Sequence, residues 1–193
     1  MEQTWRISQM TAWSAENDVT GETGEHLKII AVDPGVMTGY CYAYLENDEK
    51  DVLRYVPFEM TDEVDQFWDR LAQIQPRFIV MEDFEFRMGQ RYKGAGLNMF
   101  PMELIGVARL YEMKAPHQCS IFLQKPSYGK QYYTDMTLRK LGLYKRGIPH
   151  GMDASRHLLQ WFTFGAGYKY NNGSPKEFAE MITQAAWKER FGG

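Results

Sequence analysis

Apolar and polar positions divide the chain into a strand-rich first half and a helix-rich second half. Ile29, Ile30, Ala31 and Val32 form an unbroken apolar run with β-branched residues, which suits a strand covered on both faces. Pro34 cannot donate to a sheet ladder and Gly35 favours a turn, so the chain is expected to return over Thr38 to Tyr44 as an antiparallel partner. Asp33 would then stand at a strand end, facing a cleft. A third strand, Val52 to Phe58, follows the acidic turn Glu46 to Asp51. Val64, Phe67, Trp68, Leu71 and Ile74 recur at helical spacing ahead of Pro76, which predicts an amphipathic helix over 62–75. Strand character resumes from Arg77 to Phe84. A strand that returns after a helical crossover lies parallel to the first and beside it, so its end should approach Asp33. Alternation places Val80, Glu82 and Phe84 on one face, and Ile79, Met81 and Asp83 on the other.

Further along, Met102, Leu104, Ile105, Val107, Ala108, Leu110 and Tyr111 predict a largely apolar helix over 101–114, either core or half core and half dimer interface. Ser120 to Leu123 reads as the last strand, followed by a polar turn with Lys125, Pro126 and Lys130. A short helix over 134–141 and the basic loop LYKRGIPH come next. Pro149 suits a helix start, and Ala154, Leu158, Trp161 and Phe162 form one stripe against the sheet. Asn171 to Pro175 reads as a turn and Lys176 to Arg190 as a final helix. Residues 1–27 are polar and acidic without a sustained period, and are expected to be a loosely ordered extension of a single domain over 28–193.

Composition narrows the class. A chain of 193 residues with 44% apolar content can bury a core without staples. Cys41 and Cys119 lie inside apolar runs and have no motif spacing, which points to buried free thiols in a reducing compartment. No apolar run reaches membrane-spanning length and there is no apolar signal core, so a cytoplasmic protein is expected. The net charge of −3 conceals a division: residues 1–86 carry 6 Lys/Arg against 18 Asp/Glu, and residues 87–149 carry 11 against 3. Such a basic middle third is either a solvated face or a surface for a polyanion. Within it, EFRMGQRYKGAGLNMF combines Arg87, Arg91, Lys93, Phe86 and Tyr92 with three glycines, the mixture that grips phosphates while stacking on bases.

The candidate chemistry comes from carboxylates on separate segments. Taken alone, Asp33 is a turn cap, Asp153 an ordinary acid of a helix's first turn, and His150 a surface histidine. Taken together, Asp33 ends one strand, Glu82 ends its neighbour, and His150 and Asp153, three residues apart, open a helix on that sheet. A cluster of this kind repels itself unless cations fill it. Oxygen donors match Mg²⁺ or Mn²⁺, and the one imidazole leans slightly toward Mn²⁺ without excluding Mg²⁺. Two such ions would support phosphodiester hydrolysis, with the basic segments holding the nucleic-acid backbone.

IIAVDPGVMTGYCY resembles the first motif of RuvC-type Holliday junction resolvases, I-x-D-P-G-x-x-x-T-G-(Y/F). IVMEDF resembles their second acidic strand, and PHGMDASRHLLQW their final H-x-x-D-A helix. The bacteriophage group of RuvC-like proteins shows the same order, here Met81 to Phe84, Phe100 to Val107, Lys140 to Tyr144 and His150 to Ala154. The resemblance covers about residues 28–163 and implies a ribonuclease H-like α/β fold, a mixed five-stranded sheet flanked by helices. It also implies a Mg²⁺-dependent endonuclease with two ions per site that nicks four-way junctions as a homodimer. Asp33, Glu82, His150 and Asp153 would be catalytic and metal-binding, with Phe86 stacking at the junction centre in preference to Phe84. Lys125 or Lys130 would supply the basic group after the last strand, and Lys145 and Arg146 further backbone contacts. Asp83 and the acidic extension depart from the pattern. Other branched DNA, such as flaps or forks, and a catalytically inactive DNA-binding module remain alternative readings. An actin-like or sugar-kinase ATPase needs a duplicated second half, for which 193 residues leave no room.

Overall fold

The computed structural model describes residues 3–6, 28–46, 52–84 and 99–164. Six strands, β1 (Gln3–Arg6), β2 (Lys28–Asp33), β3 (Thr38–Glu46), β4 (Val52–Met60), β5 (Phe78–Glu82) and β6 (Ser120–Gln124), form one sheet in the order β1-β4-β3-β2-β5-β6. β2, β3 and β4 are antiparallel neighbours, while β5 lies parallel to β2 and β6 parallel to β5. Strands β2 to β6 thus form the mixed five-stranded, helix-flanked sheet expected from the sequence. β1 pairs antiparallel with β4 and adds a sixth strand from the segment expected to be loose.

Among the described residues five helices accompany the sheet: α1 (Val64–Ile74), α2 (Phe100–Lys114), α3 (Pro126–Tyr132), α4 (Asp135–Lys140) and α5 (Pro149–Phe164). Local chemistry sets their ends. Glu63 and Gln66 form a reciprocal capping box at the start of α1, and Gln75 closes it in the left-handed region with φ 53° before Pro76. In the β2–β3 turn, the Thr38 hydroxyl donates to the Gly35 carbonyl at 2.7 Å.

The period of two in the strands sorts side chains into two cores. Ile30, Val32, Tyr40, Ile79 and Met81 pack beneath α1 and α2, with Phe67, Leu71, Leu104 and Ala108. Ile29, Ala31, Cys41, Ala43 and Val80 pack beneath α5, with Met152, Ala154, Leu158 and Trp161. Both cysteines are buried thiols outside any disulfide. No helix among the described residues is long and apolar enough to cross a membrane.

Two local expectations change. Phe84 packs with the α1/α2 core, across the sheet from Val80, because β5 ends at Glu82 and alternation no longer governs the chain beyond it. A helix, α3, replaces the expected polar turn after Lys125. Pro126 starts it, and a Cβ on Gly129 would sit 2.9 Å from the Cβ of Arg156, so glycine lets α3 close on α5. Residues 85–98 and the segments read as a turn and final helix over 171–190 lie outside the described residues.

Candidate functional site

One row of the sheet carries polar residues on its α5 face. Asp33 pairs with Gly39, Gly39 with Glu59, and Glu82 with Gln124. The β2–β5 ladder runs to Val32 opposite Met81, so one further step sets Asp33 beside Glu82. The parity that puts Ala31 and Val80 under α5 also puts Asp33 and Glu82 there.

The first two turns of α5 lie along this row. Glu59 accepts hydrogen bonds from the backbone N–H groups of His150 at 3.0 Å and Gly151 at 3.4 Å, a side-chain cap supplied by a neighbouring strand. A Cβ on Gly39 would collide with the His150 carbonyl and lie 2.8 Å from the Gly151 nitrogen; one on Gly151 would lie 2.8 Å from the Phe58 carbonyl oxygen. The two glycines therefore seat the helix directly on the strands. In the D-P-G-x-x-T-G stretch, Gly39 serves this close approach.

Three contacts then join α5 to the strand ends. His150 Nδ1 donates to Asp33 Oδ2 at 3.0 Å. His157 Nε2 donates to Glu82 Oε2 at 2.8 Å, and its Nδ1 meets Gln124 Oε1 at 2.8 Å. Asp153, between the two histidines, turns sideways: Arg156 holds Oδ1 and Lys130 Nζ holds Oδ2 at 3.0 Å. Arg156 also binds Asp135 and donates through Nε to the Tyr133 carbonyl at 2.8 Å. A cavity of ≈ 410 Å³ opens beside this cluster, lined by Lys130, Asp135, Tyr144, Asp153 and Arg156.

Asp33 carries the electrostatic signature. It is 9% exposed. Burial and then the charge of Glu82 push its carboxyl up to about 6, with Asp153 adding to the rise and the His150 hydrogen bond opposing it. The charges of Glu82 and Asp153, on two other segments, therefore reach Asp33 across the row.

This donor set fits a hard divalent cation, whose charge would relieve the repulsion at Asp33. As they stand, no three acidic, histidine or cysteine residues among those described are close enough to hold an ion. Ligation by Asp153 would require Lys130 to yield, and that lysine is 63% exposed.

Of the basic residues expected to meet nucleic acid, Lys125, Lys130, Lys145 and Arg146 are exposed. Lys130 is the one that reaches an acidic site residue, Asp153. Phe86, Arg87, Arg91 and Lys93 lie outside the described residues. Sequence reasoning passed over Glu59, Gln124, Arg156 and His157. For His157 a signal existed: His150, Asp153 and His157 are spaced i, i+3, i+7 and share one helical stripe.

Neither a family model nor a curated protein matches the chain. Among solved structures, the fold is similar to Thermus thermophilus RuvC in complex with a Holliday junction substrate, with 17% identity, 70% of this chain and 92% of that chain covered, and a TM-score of 0.48. It is also similar to the yeast mitochondrial Holliday junction resolvase Ydc2, with 15% identity, 81% and 83% covered, and a TM-score of 0.40.

Proposed function

We propose that this chain is a divalent-metal-dependent endonuclease that nicks four-way DNA junctions. The observation that carries the reading is the buried Asp33, raised by burial and by the charges of Glu82 and Asp153 at one edge of the sheet. Such repulsion is costly in a merely structural position and is the arrangement a cation site requires.

Asp33, Glu82, Asp153 and His150 would hold Mg²⁺, two ions per site in the full reading, with Mn²⁺ as a substitute. When bound, the metal supplies activation of water and charge stabilisation at the phosphodiester. The chain's own residues do the rest. His150 fixes the orientation of Asp33, and Glu59 fixes the helix end that presents His150. Lys130 and Arg156 neutralise Asp153 in the metal-free protein. An exposed lysine that releases a carboxylate to a metal becomes available to a backbone phosphate. Lys125, Lys145 and Arg146 on the described surface, with Arg87, Arg91, Lys93 and Phe86 from the glycine-rich segment of the sequence, would extend the DNA contact.

The enzyme would act as a homodimer. α2 presents Met102, Leu110 and Met113 to solvent, and a Cβ at Gly106, on the same helix, would meet only open space. This apolar stripe suits a second copy of the chain. The motif order supports a phage-encoded resolvase acting in the host cytoplasm.

The test is cleavage of a synthetic four-way junction beside flap, fork and linear duplex DNA, with Mg²⁺ or with EDTA. Junction nicking should need the metal and fall by about a thousandfold or more in Asp33→Asn and Glu82→Gln, while junction binding survives. Wild-type protein that binds junctions but never cuts them with Mg²⁺ or Mn²⁺ would overturn the enzyme reading. Preferential cutting of flaps or forks would reassign the substrate.

A further inference from the structure

The histidine that sequence reasoning passed over makes the most specific contact of the site. His157 lies on α5 seven residues after His150, and is 1% exposed. Both its ring nitrogens are engaged, and both partners are side chains at strand ends: Glu82 on β5 and Gln124 on β6. Those two residues are themselves register partners, so the ring bridges adjacent strands from above. The β5–β6 pairing continues one residue past Glu82, where the Asp83 N–H donates to the Gln124 carbonyl at 2.7 Å. The backbone beneath the bridge is therefore fixed as well.

Chemistry assigns the direction of the first contact. An ionised carboxylate only accepts, so Nε2–H must donate to Glu82. The Gln124 amide offers both an acceptor and a donor, and can hold Nδ1 whichever it needs. A ring held at both nitrogens inside a packed helix face cannot rotate away. Glu82 has three side-chain torsions and stands at the cleft, where it would otherwise sample several rotamers. The contrast with Asp153 is direct: its two cations are a buried arginine and an exposed lysine, whereas Glu82 is held by a buried aromatic ring.

We propose that His157, backed by Gln124, is a positioning residue that fixes the carboxylate of Glu82 and thereby sets the affinity of the site for its divalent ion. This inference rests on the reading of Glu82 as a metal ligand. Partners that orient a ligating carboxylate typically change metal affinity by about 10–100-fold when removed.

The experiment compares wild type, His157→Ala, His157→Gln and Gln124→Ala. Mn²⁺ binding is measured by calorimetry without DNA, junction cutting across a Mg²⁺ titration, and melting temperature and junction binding in EDTA. His157→Ala should weaken Mn²⁺ binding by about 10–100-fold and raise the Mg²⁺ needed for half-maximal cutting in step, while cutting at saturating Mg²⁺ recovers. His157→Gln, whose amide N–H can still reach Glu82, should restore most of the affinity. Gln124→Ala should lose a few-fold. Junction binding in EDTA should stay within about twofold of wild type in all three, since neither His157 nor Gln124 supplies a phosphate contact.

Wild-type Mn²⁺ affinity in His157→Ala would overturn the proposal while leaving the nuclease reading intact. Equal losses in His157→Ala and His157→Gln that track a fall in melting temperature would also overturn it, in favour of simple packing. If wild type itself neither binds Mn²⁺ nor cuts, the nuclease reading fails and this inference with it.

Discussion

Each face of the sheet buries an aspartate near the same edge, and the two have opposite surroundings. Asp62, 3% exposed, follows β4 and lies on the α1 side. Arg70 grips it with two hydrogen bonds at 2.8 and 2.9 Å, the buried Tyr40 hydroxyl donates to it, and the Arg70 guanidinium rests over the Tyr40 and Phe58 rings. Asp33, 9% exposed, ends β2 on the α5 side. It has one histidine hydrogen bond and two neighbouring carboxylates that repel it. Depth of burial does not separate them. The charge balance does: Asp62 is paired as a structural acid, whereas Asp33 is left with an excess of negative charge that a proton or a cation would relieve.

The largest expected effect isolates the α5 face. Gly39→Ala places a methyl group against the His150 carbonyl and the Gly151 nitrogen, backbone atoms that cannot rotate aside. α5 must lift from β3, which separates His150 from Asp33 and His157 from Glu82. Stability should fall by about 3 kcal/mol or more, and junction cutting should be lost even at temperatures where the chain remains folded. The Tyr40–Asp62–Arg70 cluster lies across the sheet and should be unaffected, as near-ultraviolet circular dichroism of Tyr40 and its neighbours would report. Retained cutting would show that the polar row does not depend on the seat of the helix.

Next in size are two substitutions with opposite signs. Asp62→Asn leaves Arg70 without its charge partner; because Arg70 is partly exposed, the cost should be about 2–3 kcal/mol, below that of a fully buried pair. Asp33→Asn should instead stabilise the metal-free protein by about 1–3 kcal/mol near pH 8. The sign follows from the proton balance. The Asp33 carboxyl rises from 3.8 to about 6 on folding, so the folded chain binds its proton more tightly than the unfolded chain. Its ionised form therefore opposes folding above about pH 6, and the penalty fades as pH falls toward 4. The stability gain of Asp33→Asn should disappear over the same window. Denaturant melts of both variants in EDTA at pH 4.5 and pH 8 would check this; a destabilised Asp33→Asn at pH 8 would place Asp33 with the structural acids.

What the sequence disclosed and what it hid differ by range. β2, β5 and α5 were legible because their apolar runs and stripes are local, and Asp33, Glu82, His150 and Asp153 stand at the ends of those elements. Glu59, Gln124 and His157 were hidden because their roles need the strand register and the path of α5 across it. Glu59 meets His150 across 91 positions of chain and Gln124 meets His157 across 33. Arg156 was hidden for a related reason: its partners Asp135 and Tyr133 come from α4 and the junction ahead of it, and α3 carries no apolar stripe to announce that this region folds against α5.

The smallest expected effect concerns how tightly the α5 face holds its own acids. Lys130 spans to Asp153 from an exposed position, so the pair contributes at most about 1 kcal/mol to stability. Lys130→Ala should therefore leave the melting temperature nearly unchanged. Its effect should instead appear as two opposed changes. Mn²⁺ binding without DNA should tighten by about twofold to fivefold, because a competing cation has left Asp153. Junction binding should weaken, with the salt dependence reduced by about one counterion, because one phosphate contact is gone. Arg70→Ala is the matching change on the other face, where no ion or DNA is expected, and it should lower stability while leaving both binding constants alone. If Lys130→Ala weakened Mn²⁺ binding, Lys130 would be orienting Asp153 for the ion and not competing with it, and Asp153, like Glu82, would then be positioned by side chains of the fold.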